Sequence, residues 1–419
     1  MNINDCCKAA FAQTDITPDF PTEMIGCHRA DNRPGGVHAP LAAQVLLFEK
    51  RQARYCLIAI DSLGLTTELS DELRAAVAET LDTAPSHVML NFSHTHSAPA
   101  PKSPLGGARY FALLRERVTN AAKQASDELQ PCLAAWSLGE TDIAENRRDG
   151  CDTVDRRLGA LQLVQADNNV PLAVLLRVSA HANTLMSHST KLSSDFFGPA
   201  REKLSAHFGC PVMLIQGAAG NLKPAGVDKL SGGTAADTER IAQRLMESAS
   251  GMTFHPREIR RLAMYEQNVE VLSDVPSETQ AGRIVLESGL DGQNWLDECA
   301  RLRAKGITHQ ANMTGIHFFF INEGCLCGVP DEIFCELSLE AAAKAHTPLL
   351  FFNGYTNGCT GYLPHRDEWL KGGYETLYSY LHYYPFHGHV MPFDIGTAAT
   401  LTETVLQVWK KHDICFHVG

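Results

Sequence analysis

The stretch from Tyr55 to His96 constrains the fold most. Residues 55–61 form an aliphatic run of strand length. Thr67–Leu81 carries Leu69, Leu73, Val77 and Leu81 at four-residue spacing, and His87-Val-Met-Leu-Asn-Phe92 is a second apolar run. Four-residue spacing puts those apolar positions on one helix face, with Thr67 or Ser70 available as a cap, and the short apolar runs read as buried strands. The succession strand, helix, strand ends in Ser93-His-Thr-His96. Side chains alternate along a strand, so His94 and His96 share one side of its end. Two imidazoles so placed can grip a metal, or divide into one ligand and one proton carrier.

The same two periodicities recur along the chain. Residues 41–49 and 55–61 flank the polar Lys50-Arg-Gln-Ala-Arg54, a hairpin signal. Phe11-Ala-Gln-Thr-Asp-Ile-Thr-Pro18 reads as a short strand ending in a turn, further strands are predicted at 133–138, 159–165, 173–180 and 212–216, and helices at 111–129, 197–208 and 234–249. The run 173–180 closes at His181. An apolar hairpin, 317–322 with 325–329, leads to Glu332, a helix at 332–345 and a strand at 349–354. A helix at 397–411 closes the chain. Residues 250–312 are patterned more weakly, with a strand within 257–271 and a charged surface helix at 292–305, and are expected to form a peripheral insertion. No repeat or linker-like tract divides the 419 residues. We therefore expect one large α/β domain, 1–419, whose mixed β-sheet core is flanked by helices.

Composition narrows the partners. A formal net charge of −12 without a long Lys/Arg cluster argues against nucleic acid. No apolar run approaches the roughly 18 residues of a membrane helix, so stable membrane insertion is not expected. The start, Met1-Asn-Ile-Asn-Asp-Cys-Cys7, lacks the basic and apolar regions of a secretory signal. Thirteen irregularly spaced cysteines fit reduced thiols in a cytoplasmic protein, and Cys325-Leu-Cys327, with no second pair, reads as core. Tyr378-Ser-Tyr-Leu-His-Tyr-Tyr-Pro-Phe-His-Gly-His389 is aromatic and His-rich, either a packed cluster or the lining of a pocket.

Four further positions share the address of the HTH triplet, at strand ends or in the loops beyond them: His181, Glu332, Tyr362 and Tyr374. A His/His/Glu metal site is compatible with that placement, but spacing alone does not select these residues from eighteen histidines and many carboxylates.

Eight stretches, in order, resemble the neutral/alkaline ceramidase family over nearly the whole chain. They are Asp15-Ile-Thr-Pro18, Gly36-Val-His-Ala-Pro-Leu41, His94-Thr-His-Ser-Ala-Pro99, Asn146-Arg147, His181, the glycine-rich run 217–224, Pro330-Asp-Glu332, and Tyr362 with Gly372-Gly-Tyr-Glu375. The resemblance implies zinc as cofactor, with His94, His181, Glu332 and Tyr362 as its ligands. Two imidazoles and a carboxylate are a hydrolytic zinc set, and zinc both acidifies water and polarises a carbonyl. It further implies that His96 carries a proton or stabilises an oxyanion, and that Arg147 and Tyr374 orient the substrate carbonyl. Gly26, Asn221 and Lys223 fall with the substrate. Without the resemblance, Arg147 would be read as a surface partner of Glu145 or Asp149.

The chain also departs from the family. Lys223 stands where ceramidases carry a serine implicated in amide cleavage, and Asn221 where an aspartate is usual. A metal-activated water is then the expected nucleophile, and a cationic Lys223 suits a substrate carboxylate or phosphate. The secretory signal and trailing β-sandwich domain of secreted ceramidases have no counterpart in this sequence. The expected function is zinc-dependent hydrolysis of an amide or related acyl bond in a small, soluble substrate. The alternatives are a zinc-dependent lyase or cyclase, or a small-molecule-binding homologue without catalysis. Metallo-β-lactamase-type sites are excluded because Ser97-Ala-Pro99, not Asp-His, follows the triplet, and amidohydrolase barrels because hairpins interrupt any regular βα repeat. The oligomeric state does not follow from the sequence.

Overall fold

Two mixed sheets stack face to face between helices. The structure, a computed structural model, describes residues 6–418, with side chains as far as His412. The main sheet contains β1 (Lys8–Asp15), β2 (Ala42–Lys50), β3 (Ala53–Ile60), β4 (Val88–Phe92), β5 (Gln130–Glu140), β6 (Arg157–Gln165), β7 (Pro171–Val178) and β8 (Val212–Gln216), ordered β8-β7-β6-β5-β1-β2-β3-β4. A short ninth strand, Arg257–Glu258, pairs with β5. The second sheet is β9 (Leu262–Asp274), β10 (His309–Ile321), β11 (Gly324–Gly328) and β12 (Leu350–Asn353), in that order. The helices are α1 (Thr67–Leu81), α2 (Gly107–Asp127), α3 (Phe197–Phe208), α4 (Ala235–Ala249), α5 (Glu278–Ser288), α6 (Gln293–Ala304), α7 (Cys335–Lys344), α8 (Arg366–Lys371), α9 (Tyr380–His387) and α10 (Thr397–Val418).

Within these two sheets hairpin-like neighbours run antiparallel, and three of the described pairs are parallel: β3/β4, β7/β8 and β11/β12. A parallel pair needs a crossover, supplied here by α1, α3 and α7. The mixed sheet flanked by helices is therefore as the sequence predicts. One face of the main sheet carries α1 to α4. Its other face meets the second sheet, where Phe48, Leu57 and Ile215 pack with Phe319, Leu326 and Phe351. Alternation along β10 explains the layering: Phe319 meets Phe48 edge-on at 5.5 Å, while Phe318 and Phe320 face the opposite way, Phe320 stacking near Trp409 of α10 at 6.1 Å.

The segment 250–312 is less peripheral than its sequence suggests. β9 lies within it and pairs with β10 in one continuous register, from Leu262↔Ile321 to Asp274↔His309. Exposed Gln267, Asn268, Glu270 and Asp274 interrupt its apolar pattern, which is why periodicity recovers it poorly. Only α5 and α6 stand apart, on a small apolar cluster around the buried Trp295.

The two edges of the main sheet, β4 and β8, are stitched together by one side chain. The Asn91 amide donates to the Gln216 carbonyl at 3.0 Å and accepts from the Gln216 N–H at 2.8 Å, so it mimics a missing backbone partner. Backbone bonds Phe92 N–H to Tyr355 O and Asn357 N–H to Leu90 O tie the loop after β12 to the same edge. The C-terminal ends of β4, β7, β8, β11 and β12 thus converge, the usual address of sites in α/β proteins.

A buried ion pair locks this convergence from beneath. Arg177 of β7 and Asp155 are both fully buried and 2.9 Å apart, and Arg177 also donates to the Asn353 side chain at the end of β12. Gly217 leaves room for it: a Cβ there would lie 2.5 Å from the guanidinium carbon. Among the described residues every cysteine is a free thiol, and no helix is long and apolar enough to cross a membrane.

Burial alone would raise the Asp155 pKa, but Arg177 and Arg157 overcome it and hold the carboxyl at about 2. The folded pKa is depressed below the unfolded value of about 3.9, so this stabilisation is present above about pH 4 and lost as pH falls toward 2. Asp155→Asn leaves Arg177 without its counter-charge and should cost about 3–5 kcal/mol at pH 7 in urea unfolding. The penalty should shrink steadily below about pH 4; a penalty independent of pH would contradict the assignment.

Candidate metal centre

The HTH triplet leaves β4 through a strained turn. His94 has φ of 61°, a left-handed conformation that costs a residue with a Cβ roughly 1–3 kcal/mol. The strain aims its ring inward. Nδ1 donates to the Leu63 carbonyl at 2.6 Å, which leaves the lone pair on Nε2. That lone pair faces Glu332 Oε2 at 3.1 Å. Both side chains are nearly inaccessible to solvent. Two acceptors in buried contact repel one another unless a proton or a cation lies between them.

His181, fully buried just beyond β7, repeats the arrangement. Its Nδ1 faces the Ala219 carbonyl at 3.1 Å, and its Nε2 meets His96 Nε2 at 2.9 Å. His96 Nδ1 is buried without a partner. Ligand atoms of His94, His96 and His181 all lie within 4.8 Å of one another, as do those of His94, Glu332 and Cys359. His94 belongs to both groups. Burial, reinforced by nearby His and Arg charges, pushes His96 and His181 well below the usual histidine range, so both are neutral imidazoles at physiological pH. Imidazole nitrogens whose far sides are fixed by carbonyls, beside a carboxylate, fit a divalent metal such as zinc.

Glycine allows the loops to close on this group. Gly220 donates to the Ile333 carbonyl, and a Cβ on it would fall 2.2 Å from the Glu332 carbonyl oxygen. Gly26, with φ of 115°, packs so tightly on the triplet that a Cβ would lie 2.8 Å from His96 Cα. Glu332 itself is held by a two-residue parallel pairing with Tyr362.

Arg147 is buried beside the group rather than on the surface. Its Nη2 donates to the Gly220 carbonyl at 2.7 Å and to the Tyr362 hydroxyl at 3.1 Å, and its Nε lies 3.0 Å from Glu375. Glu375 also pairs with Arg148. Burial disfavours the Arg147 charge, but Tyr362, Glu375 and Glu332 outweigh it and raise its pKa. The Tyr362 phenol is raised by burial and by Glu332, and Tyr374 chiefly by burial, so both keep their protons. Neither Glu145 nor Asp149 pairs with Arg147; they take Lys223 and Lys229.

A cavity of about 930 Å³ opens over these residues. His94, His96, Glu332, Arg147, Tyr362, Tyr374, Gly26 and Cys359 all line it, and His181 lies behind them. The aromatic, His-rich segment supplies one wall through Ser379, His382, Tyr383, Phe386 and His387. It is partly helical, and burial pushes His387 to about 3 and His389 to about 4, so both are neutral. It is thus a packed cluster and a pocket lining at once.

Two residues expected with the substrate lie elsewhere. Lys223 does not line the cavity; it pairs with Glu145 across a short antiparallel ladder and donates to the Val227 carbonyl at 2.6 Å. Asn221 is fully buried, accepting from the Cys335 N–H at the start of α7 and donating to the Glu336 carboxylate. Both follow from local structure that spacing does not show. Conversely, Tyr355 and Cys359 carry no assignment in the sequence reading. Tyr355, at φ of 53°, points its hydroxyl at Glu332 Oε2 and His181 Nδ1, 3.4 and 3.5 Å away. The half-buried Cys359 has a pKa raised well above its usual value by burial and by the Glu332 and Asp331 charges. Their shared signal is position, in the glycine-rich loop after β12.

The solved structure of neutral ceramidase from Pseudomonas aeruginosa superposes with a TM-score of 0.72 at 18% identity, over 96% of this chain and 74% of that one. The chain has the fold of neutral ceramidase. A second structure, of a ceramidase complexed with C2, gives 0.70 at 17% identity with the same coverage. No family model matches the sequence, and neither does any curated protein. At these identities the likeness is one of fold, and the ceramidase resemblance read from the motifs is borne out at that level.

If Asn221 serves the α7 terminus, Asn221→Ala should lower stability by roughly 1–3 kcal/mol in denaturant unfolding, because it orphans the Cys335 N–H and removes the amide donor to the Glu336 carboxylate. Metal content should be unchanged. Metal loss with full stability would instead place Asn221 in the centre.

Proposed function

We propose that the protein is a zinc-dependent hydrolase of an amide or related acyl bond in a small substrate, with His94, His181 and Glu332 as principal ligands. The observation that carries this reading is the buried contact between His94 Nε2 and Glu332 Oε2, which calls for a proton or a cation between them, beside the buried neutral imidazole of His181. The neutral-ceramidase fold supports the choice of reaction class. Tyr362 is a weaker donor in this scheme, since its oxygen already accepts from Arg147.

When bound, zinc supplies Lewis acidity that polarises a carbonyl and acidifies water. The chain supplies the rest. Arg147 stays cationic, anchored by Gly220 and Glu375, and faces the carbonyl oxygen as negative charge develops there. Tyr374 and Tyr362 keep their hydroxyl protons and orient the same oxygen. His96 is neutral, and its proton can reside at Nε2, facing His181, or at the unpartnered Nδ1, which lets the ring take and return a proton. Lys223 takes no part, because Glu145 holds it outside the cavity. With the family's serine absent, water is the nucleophile.

Purified protein should contain about one zinc per chain. Chelation or His94→Ala should abolish turnover across a panel of N-acyl substrates, with oxygen from labelled water recovered in the acid product. Folded protein isolated without zinc, or products formed without incorporation of water, would defeat the proposal.

A further inference from the structure

Nothing in the ligand set above accounts for Cys359, whose sulfur lies within 4.8 Å of ligand atoms of both His94 and Glu332. Around a tetrahedral zinc, sulfur and nitrogen ligands stand about 3.5 Å apart, given bonds of about 2.3 and 2.0 Å. The observed spread is within reach of a small rotation of the thiol.

We infer that Cys359 is a sulfur donor to the metal held by His94 and Glu332. Four observations carry it. The thiol lines the same cavity floor as both partners. Its backbone is fixed in place, with its N–H donating to the Leu65 carbonyl at 2.9 Å, and flanking Gly358 and Gly361 at φ of 156° and 111° turn the loop inward. Gly64 makes the room: a Cβ there would come within 2.4 Å of Cys359 Cβ. The buried His94–Glu332 contact needs a proton or a cation between its two acceptors, and the sulfur lies within 4.8 Å of a ligand atom of each.

Binding exchanges one bond for another. The S–H bond breaks, its proton passes to solvent, and the sulfur lone pair forms the bond to the metal. A His/His/Glu/Cys set is softer than the oxygen-rich alternative and favours zinc, cobalt or cadmium over magnesium or manganese. It also leaves Tyr362 to Arg147 as a hydrogen-bonding group.

This inference rests on the metal reading above, and cobalt separates the two. The full chain reconstituted with Co²⁺ should bind one ion and show an intense near-ultraviolet sulfur-to-cobalt charge-transfer band. Cys359→Ser should still bind cobalt, through the remaining ligands, but lose the band. Cys27→Ser, which alters the other thiol lining the cavity, should retain it. In the unmutated protein, iodoacetamide mapped by mass spectrometry should label Cys359 without metal and spare it with cobalt bound. One bound cobalt without the band, or equal labelling in both states, overturns the sulfur donor and leaves the metal reading standing. Failure to bind any cobalt overturns both.

Discussion

The structure turns on a contact that should not persist alone: a carboxylate oxygen and an imidazole lone pair, both buried, 3.1 Å apart. The lone pair is there because the Leu63 carbonyl takes the other ring nitrogen's proton, and the ring is there because β4 ends in a left-handed turn. Beside it, His181 and His96 meet through their Nε2 atoms at 2.9 Å, a contact that one proton bridges. A chain that spends backbone strain to bring His94 against Glu332, and keeps His96 and His181 neutral by burial, is suited to receive a cation.

Much of the surrounding architecture bears on that contact. Asn91 joins the two edges of the main sheet, so the loops after β4 and β8 meet instead of diverging. Arg177, paired with Asp155, ties β7 to the end of β12 and thereby sets His181 against Tyr355. Gly220 and Gly26 let backbone approach Glu332 and His96 more closely than any Cβ would permit. Arg147 then closes the floor, its charge upheld by Glu375, and presents a cation to the cavity beside the neutral imidazoles.

How much of this was legible follows physical lines. Elements with a clean period were read to the residue: α1, α3 and β8 have the predicted bounds. β9 was blurred because polar residues stud a strand whose partner is a long antiparallel ribbon, not a helix layer. Residues at strand ends are legible as an address, but only the family resemblance selects His94, His181 and Glu332 from the other histidines and carboxylates. Lys223 and Asn221 misled because what occupies them, a cross-ladder carboxylate and a helix terminus, is set by tertiary pairing. Tyr355 and Cys359 were missed for the converse reason. A tyrosine and a cysteine in a glycine-rich loop have no period, and only the fold shows which way they point.

The central claim is that one metal ion sits between His94, His181 and Glu332. A crystal of the purified protein, measured above and below the zinc absorption edge, tests it directly. The account predicts one strong anomalous peak within bonding distance of both Nε2 atoms and the Glu332 carboxylate, at about 2.0–2.2 Å. No peak there, or a peak displaced to the His387 and His389 cluster, would contradict it.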